Sequence, residues 1–293
     1  MKKVLITGGD GFLAKSFAEK LVGDYEIISC NRTSLDLNDS VAVAKYLLEQ
    51  QFDVVIHTAT YDAAPKDSPN DRNKVLENNL AMFFNLARCQ DDFGKMLYFG
   101  SGAEFSRDNW QPEMSESFFD TFVPTDQYGF SKYVMTQYAL TTNKIFNLRL
   151  FGVFGEYDDW RYRFISNICC HAISGMPVSV HNNARADFLF MDDLVRIVQW
   201  FITNKPKHQV YNVCSGTSFE YTEIANIVNE IANNNLDVVV NNKEIQKEYS
   251  GNNSLLVQEL GEFKFTPIRQ SLQLLYSWYK NNKHIIDVAK FHY

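Results

Sequence analysis

The chain has 293 residues, 45% of them hydrophobic and 22% charged, a composition that suits a globular protein with a sizeable core. Its net charge of −7 and the lack of any Lys/Arg-rich run argue against a nucleic-acid binder or a membrane-surface protein. No stretch approaches the ~18 uninterrupted apolar residues of a membrane span. The apolar run Val4-Leu5-Ile6 after Met1-Lys2-Lys3 stops at Thr7-Gly8-Gly9, too soon for a signal-peptide core, so a cytoplasmic location is expected. Cys30, Cys89, Cys169, Cys170 and Cys214 form no C-x-x-C pair, which reads as free thiols in a reducing compartment.

In chain order, Lys3-Val4-Leu5-Ile6 is a short strand running into Thr7-Gly8-Gly9-Asp10-Gly11. The apolar residues Phe12, Leu13, Phe17 and Leu21 then recur at helical spacing over residues 12–22. Strand, glycine turn and helix make a phosphate cradle: Gly8 and Gly11 let backbone N–H groups approach a pyrophosphate at the helix N-terminus. Ala14 takes the third small position, where helix meets strand. Residues 25–30 are the second strand, followed by Asn31-Arg32-Thr33. An acidic residue at this strand end would hold the ribose hydroxyls of NAD, whereas an Arg accommodates a 2′-phosphate, so Arg32 favours NADP(H) and leaves NAD(H) open.

A helix over 41–50, capped by Asn38 or Asp39, leads to the strand Asp53-Val54-Val55-Ile56-His57 and the small residues Thr58-Ala59-Thr60. His57 is expected to be structural. A loop over 61–73 precedes a long helix over 74–92, and residues 95–100 form the next strand, ending at Ser101. Repeated alternation of strand and helix predicts an α/β fold, a doubly wound parallel sheet of the Rossmann type. Further on, Tyr128-Gly129-Phe130-Ser131-Lys132 places a phenol and an ammonium four residues apart, on one face if this segment is helical. Such a pair can move a proton on or off an oxygen.

These motifs together resemble the extended short-chain dehydrogenase/reductase family of nucleotide-sugar epimerases, dehydratases and reductases. Thr7-Gly8-x-x-Gly11-x-x-Ala14 resembles its cofactor turn, Asp36-Leu37 its adenine-side D-[LV], and His57-Thr58-Ala59-Thr60 its H-x-A-A segment. Asn79 ahead of Asn85-Leu86 resembles a helix pattern of the family, and Tyr128 with Lys132 matches Y-x-x-x-K. Leu148-Arg149, Asp187-Phe188 and Tyr211-Asn212-Val213 extend the likeness to about residue 216. The resemblance implies that Ser101, Tyr128 and Lys132 are catalytic. It places the cofactor on Gly8, Gly9, Asp10, Gly11, Phe12, Leu13, Asn31, Arg32, Asp36, Leu37, Thr58, Ala59, Thr60, Asn79 and Lys132. Tyr128 would exchange a proton with a sugar oxygen, Lys132 would hold the ribose and lower the tyrosine pKa, and Ser101 would bond the reacting oxygen.

Departures from the family pattern bear on the reaction. Dehydratases follow the catalytic hydroxyl with Asp-Glu; here Gly102-Ala103 follow, and Glu104 arrives one residue late, where only a shifted loop could rescue it. Gly152 replaces a substrate-contacting Asn, and Ala186 an Arg for which Arg185 is the candidate substitute. Arg161 and Arg163 are candidates for a substrate diphosphate, since Arg offers bidentate donors to phosphate.

In the second half, helices are expected over 164–174, 192–202 with Asp caps, 219–232, and from Pro267, at its first position, to about 282. Short strands are expected at 178–180 and 188–190. The Asn-rich pairs mark loops, residues 243–254 carry no specific signal, and the tail 284–293 is unassigned. Asp192-Asp193 lack clustered His, so no metal is expected.

The expected organisation is residues 1–152 as the cofactor-binding and catalytic domain and 153–293 as a smaller α/β substrate lobe, partly interleaved with it. The leading functional expectation is NADPH-dependent reduction of a nucleotide-linked 4-keto sugar, as in the GDP-fucose synthase and dTDP-4-dehydrorhamnose reductase branches. A 4-epimerase with retained NAD is the alternative, and a non-catalytic NADP-sensing relative a third. The resemblance also implies a homodimer through the helices near 74–92 and 128–142.

Overall fold

The structure, a computed structural model, describes residues 1–63, 68–234, 237–242, 244 and 246–291. Residues 64–67 of the expected loop, Asn235, Lys243 and the last two residues of the tail lie outside them. The N-terminal half alternates β1 (Lys3–Thr7), α1 (Phe12–Lys20), β2 (Glu26–Cys30), α2 (Ser40–Gln50), β3 (Phe52–His57), α3 (Val75–Ala87), β4 (Phe93–Ser101), α4 (Gln127–Ala139) and β5 (Ile145–Leu150). The rest comprises β6 (Gly152–Phe154), α5 (Phe164–Ile173), β7 (Val178–Asn182), β8 (Arg185–Phe190), α6 (Met191–Thr203) and β9 (Val210–Val213). It ends with β10 (Ser218–Glu220), α7 (Tyr221–Ala232), β11 (Val238–Asn242), α8 (Ser254–Leu260) and α9 (Ile268–Asn281).

The main sheet has the order β2-β1-β3-β4-β5-β9, all parallel, as the alternation predicts. Successive side chains on a strand point to opposite faces, and a parallel sheet is covered on both. Val4, Ile6, Val54, Ile56 and Leu97 accordingly pack under α1 and α6. Leu5, Val55, Met96 and Tyr98 pack under α2, α3 and α4. On that second face Phe83 is fully buried and makes edge contacts with Phe84, Tyr98 and Tyr138 at centroid distances of 5.2, 5.2 and 6.1 Å.

Helix starts are chemically marked. Asp39 accepts from the N–H groups of Val41 and Ala42 at 3.0 Å, which selects it over Asn38 as the cap of α2. Asp193 does not cap α6; it lies in the first turn and accepts from the N–H and hydroxyl of Thr266, pinning the approach to α9. Pro267 is the cap residue of α9 rather than its first helical residue. The expected helix over 74–92 stops at Ala87 and continues as turns to β4.

Beyond β5, β6 and β8 run parallel and β10 pairs antiparallel to β8. A separate two-stranded sheet joins β7 to β11, so Asn241-Asn242 belong to a strand rather than a loop. α5, α7 and α9 enclose a third core with Phe188, Phe190 and Tyr279. Residues 246–254, silent in the sequence, are bound in: Ala186 bridges Tyr249 and Met114 bridges Gly251. The tail forms two single turns, and Phe291 is buried with its ring 3.9 Å from that of His171. Among the described residues no helix is long and apolar enough to cross a membrane.

Truncating Phe83 to Ala should leave a cavity shared by α3, α4 and the sheet. A loss of about 3–5 kcal/mol is expected in denaturant unfolding. A loss under about 1 kcal/mol would mean that the aromatic cluster collapses freely around the gap.

Candidate active site

A cleft of about 830 Å³ opens where the main sheet's C-terminal edge meets the segments that follow β5. Its walls include Gly11, Phe12 and Leu13 at the start of α1, Thr58 and Thr60 after β3, Ser101 at the end of β4, and Tyr128 and Lys132 on α4. From the second half come Asp158, Arg163 and Tyr249.

The glycine turn is shaped for a phosphate group. Gly8 sits at φ +73°, and a Cβ there would lie 2.8 Å from Ala59 Cα, so a side chain is excluded on both counts. The Gly11 N–H closes the turn onto Gly8 O at 2.9 Å. Gly11 then stands at the N-cap of α1 with no side chain to cap it, which leaves the first N–H groups of the helix facing the cleft. An anionic pyrophosphate suits that place because the helix dipole is positive there. The residues present therefore fit a dinucleotide.

Asp10 accepts from the side-chain amide of Asn31, whose own Oδ1 gathers Thr33 and Ser34 into the turn after β2. Arg32 is exposed in that turn, 3.8 Å from Asp36. Leu37 is buried in the core beneath, so it supports the turn rather than facing a ligand. Thr58 donates to Thr7 O at 2.6 Å, and Asn79 takes the Tyr61 N–H at 2.7 Å and the Thr60 hydroxyl at 3.3 Å. Asn79 is thus the residue that fixes the loop after β3. His57 bonds the Thr7 hydroxyl at 2.9 Å; burial, helped by the charge of Lys132, pushes it down to about 3, so it is neutral and structural.

Ser101, Tyr128 and Lys132 are brought together. Asp126 caps α4 by accepting from Gly129 N–H at 2.8 Å. A Cβ on Gly129 would lie 2.8 Å from Ala103 O, so only glycine lets α4 start this close to the chain after Ser101. Burial raises the Tyr128 phenol above its ordinary value, and the Ser101 hydroxyl, donating to it, works in the opposite direction. The Lys132 ammonium donates to Phe99 O at 2.9 Å and lies 5.7 Å from the Tyr128 ring centre. Burial lowers it to about 8, and the charge of Glu104 resists that fall. Burial is the largest influence on Tyr128, and Ser101 opposes it together with the charges of Arg163 and Arg107.

Glu104 is not in the cleft. It is fully buried and bonded to Arg149 Nε at 2.8 Å, to the Thr136 hydroxyl at 2.9 Å and to the Ser101 N–H at 2.9 Å. The shifted-loop rescue of a dehydratase acid does not occur. Of the candidate diphosphate arginines, Arg163 lines the cleft, 3.7 Å from Asp158. Arg161 instead forks onto Asp159 at 2.9 and 2.7 Å. Arg185 is held by Ser218 O and Glu220, at 2.9 and 3.4 Å. Neither is among the residues that line the cleft.

Several cleft residues carried no sequence signal. Tyr249 reaches the Ser101 hydroxyl from the far lobe and stacks on Trp110 at 4.2 Å; burial raises its phenol too. A Cβ on Gly102 would lie 2.5 Å from the Tyr249 ring, so the residue missing beside Ser101 is replaced in space by this phenol. Asp158 is pushed up to about 7 by burial, against the pull of Arg163. Arg107, paired with Asp126 at 3.4 Å, and Arg72 add positive charge to the rim. Among the described residues no group of His, Cys, Asp or Glu could hold a metal.

The family model described as the NAD dependent epimerase/dehydratase family matches residues 4–214. GDP-6-deoxy-D-talose 4-dehydrogenase of Aggregatibacter actinomycetemcomitans is 22% identical over 291 residues, 94% of this chain and 97% of that protein. In structure, the GDP-mannoheptose C4 reductase of Campylobacter jejuni with NADP bound matches with a TM-score of 0.81 at 20% identity, covering 95% of this chain and 98% of the other. The UDP-glucose 4-epimerase of Thermotoga maritima matches at 0.82 and 16%, covering 97% and 100%. With the family match spanning the glycine turn, Ser101, Tyr128, Lys132 and β9, the chain belongs to the NAD-dependent epimerase/dehydratase family.

Proposed function

We propose that the protein is an NADPH-dependent reductase of a nucleotide-linked 4-keto sugar. The observation that carries this reading is the convergence of the Ser101 and Tyr128 hydroxyls beside an uncapped helix start, with the nearby carboxylate of Glu104 sequestered from the cleft. NADPH, when bound, supplies the hydride. The chain's own groups do the rest. Ser101 donates to the ketone oxygen and orients it, and Tyr128 gives that oxygen its proton as the alcohol forms. Burial keeps the Tyr128 phenol protonated at working pH, so the proton is there to give. The Lys132 ammonium would hold the ribose and offset the charge left on the phenol oxygen, which solvent then reprotonates.

Residues 1–152 would serve the cofactor and 153–293 the sugar, with Arg163 and Arg107 placed to take the diphosphate. Arg32 would meet the 2′-phosphate by leaving its 3.8 Å pair with Asp36. Five buried free thiols fit a reducing cytoplasm. The half-buried outer residues of α3 and α4, Leu80, Phe84, Phe130, Val134 and Tyr138, would pair two copies. Sizing in solution should then report twice the 33.8 kDa chain; a monomer would rule that face out.

Purified protein should oxidise NADPH when given a panel of nucleotide-linked 4-keto sugars. Bound NAD carried through purification, with no NADPH oxidation on any of them, would replace the reductase by a 4-epimerase. Tyr128→Phe should lose about 10²–10⁴-fold in turnover while still binding NADPH. A non-catalytic NADP sensor would be indifferent to that change. NADPH affinity should fall as pH rises through about 8, because the Lys132 ammonium is the form present below that value and is lost above it. A flat affinity from pH 7 to 9.5 would exclude Lys132 from the cofactor site.

A further inference from the structure

Glu104 occupies an unusual place for a carboxylate. One side chain bonds to β4 and α4, the two elements that carry the catalytic groups, and to β5 beside them. Oε1 accepts from the Ser101 N–H at 2.9 Å and more weakly from the Tyr98 hydroxyl at 3.4 Å. Oε2 accepts from Thr136, one turn beyond Lys132 on α4, and from Arg149 on β5. Asn147 Nδ2 donates to both oxygens at 3.3 and 3.2 Å. The single Tyr98 O–H is shared between Glu104 Oε1 and Lys132 O, at 3.4 and 3.2 Å, so it bridges the carboxylate to α4.

We propose that Glu104 is the positioning residue of this active site: it fixes Ser101 and α4 relative to each other and supplies the counter-charge for the Lys132 ammonium. Asp62, Asp126 and Asp158 line the same cleft, yet Glu104 is the carboxylate whose charge acts on this ammonium. From β4 it meets Phe99 O and the Tyr98 ring at 5.0 Å, and from its own helix the Tyr128 ring. From β3 it faces neutral His57. Arg149 is the competing cation, and it holds Oε2 while Oε1 stays with Ser101. A buried amine without a counter-charge loses its proton readily. Glu104 therefore keeps Lys132 usable at neutral pH without entering the cleft.

The inference rests on the cofactor role given to Lys132, and the test separates the two. The Lys132 ammonium is followed directly by NMR of protein carrying ¹³Cε-lysine, its signal identified by its absence in Lys132→Arg. Glu104→Gln should lower its proton affinity about tenfold, moving the titration to lower pH, and the fall in NADPH affinity should move with it. Arg149→Gln should move the titration the other way, because the Glu104 charge is then no longer shared with a guanidinium. A merely structural Glu104 would lower the melting temperature in both variants and leave the Lys132 titration where it is, which overturns the proposal. Should Glu104→Gln not fold, an unmoved titration in Arg149→Gln overturns it alone. Absence of NADPH binding by the unaltered protein would sink the cofactor role instead, with the titration still readable.

Discussion

Taking a carboxylate and a guanidinium wholly out of water costs several kcal/mol each, and their attraction repays this only with good geometry and further hydrogen bonds. Glu104 and Arg149 meet those terms. Both are fully buried at 2.8 Å, with Asn147, Thr136 and Tyr98 bonded to the carboxylate and Asn212 to the guanidinium. Arg149 Nη2 has no hydrogen-bond partner in the described structure; the guanidinium instead lies over the Phe105 and Phe119 rings, at 4.3 and 5.2 Å. The chain from Ser101 to Phe119 is hung on this pair. Asn212, anchored to Arg149, also donates to Met114 O and Asn252 O, so the loop and the far-lobe segment share one support. Removing either partner would strand a charge in the core, a change typically worth about 3–5 kcal/mol.

The same dryness governs the cleft chemistry. Burial favours the neutral forms of Tyr128, Tyr249 and Lys132 alike, and it lifts Asp158 into the neutral range. A phenol that holds its proton serves reduction better than oxidation, because the proton must go to the substrate.

Much of this was legible because local rules act over short stretches. Gly8 sits in a turn that only glycine fits, closed by Gly11; Asp39 and Asp126 are caps; Tyr128 and Lys132 are one helical turn apart. The parallel order of the main sheet follows from the alternation of elements. What the residues concealed is long-range. Glu104 looked like a misplaced acid because its partner Arg149 lies 45 residues away. Tyr249 sits in a polar run with no periodicity, and its place beside Ser101 depends on how the second lobe folds back. Arg161 stood out by its charge and Arg185 by its place beside the family's Arg position, while their neighbours Asp159 and Glu220 decide where they point. Asn241 and Asn242 read as turn residues, yet pairing with β7 overrides their weak strand propensity.

The sixth strand of the main sheet comes from residues 210–213, and α6, from residues 191–203, covers one face of it against α1. A chain leaving the ribosome therefore has β5 as an open edge, and bare apolar surface beneath it, until Val213 has emerged. A segment ending at residue 152, exchanged between relatives, would arrive without the last strand of the main sheet and the helix that covers it, so recombination should succeed only where β9 and α6 travel with it.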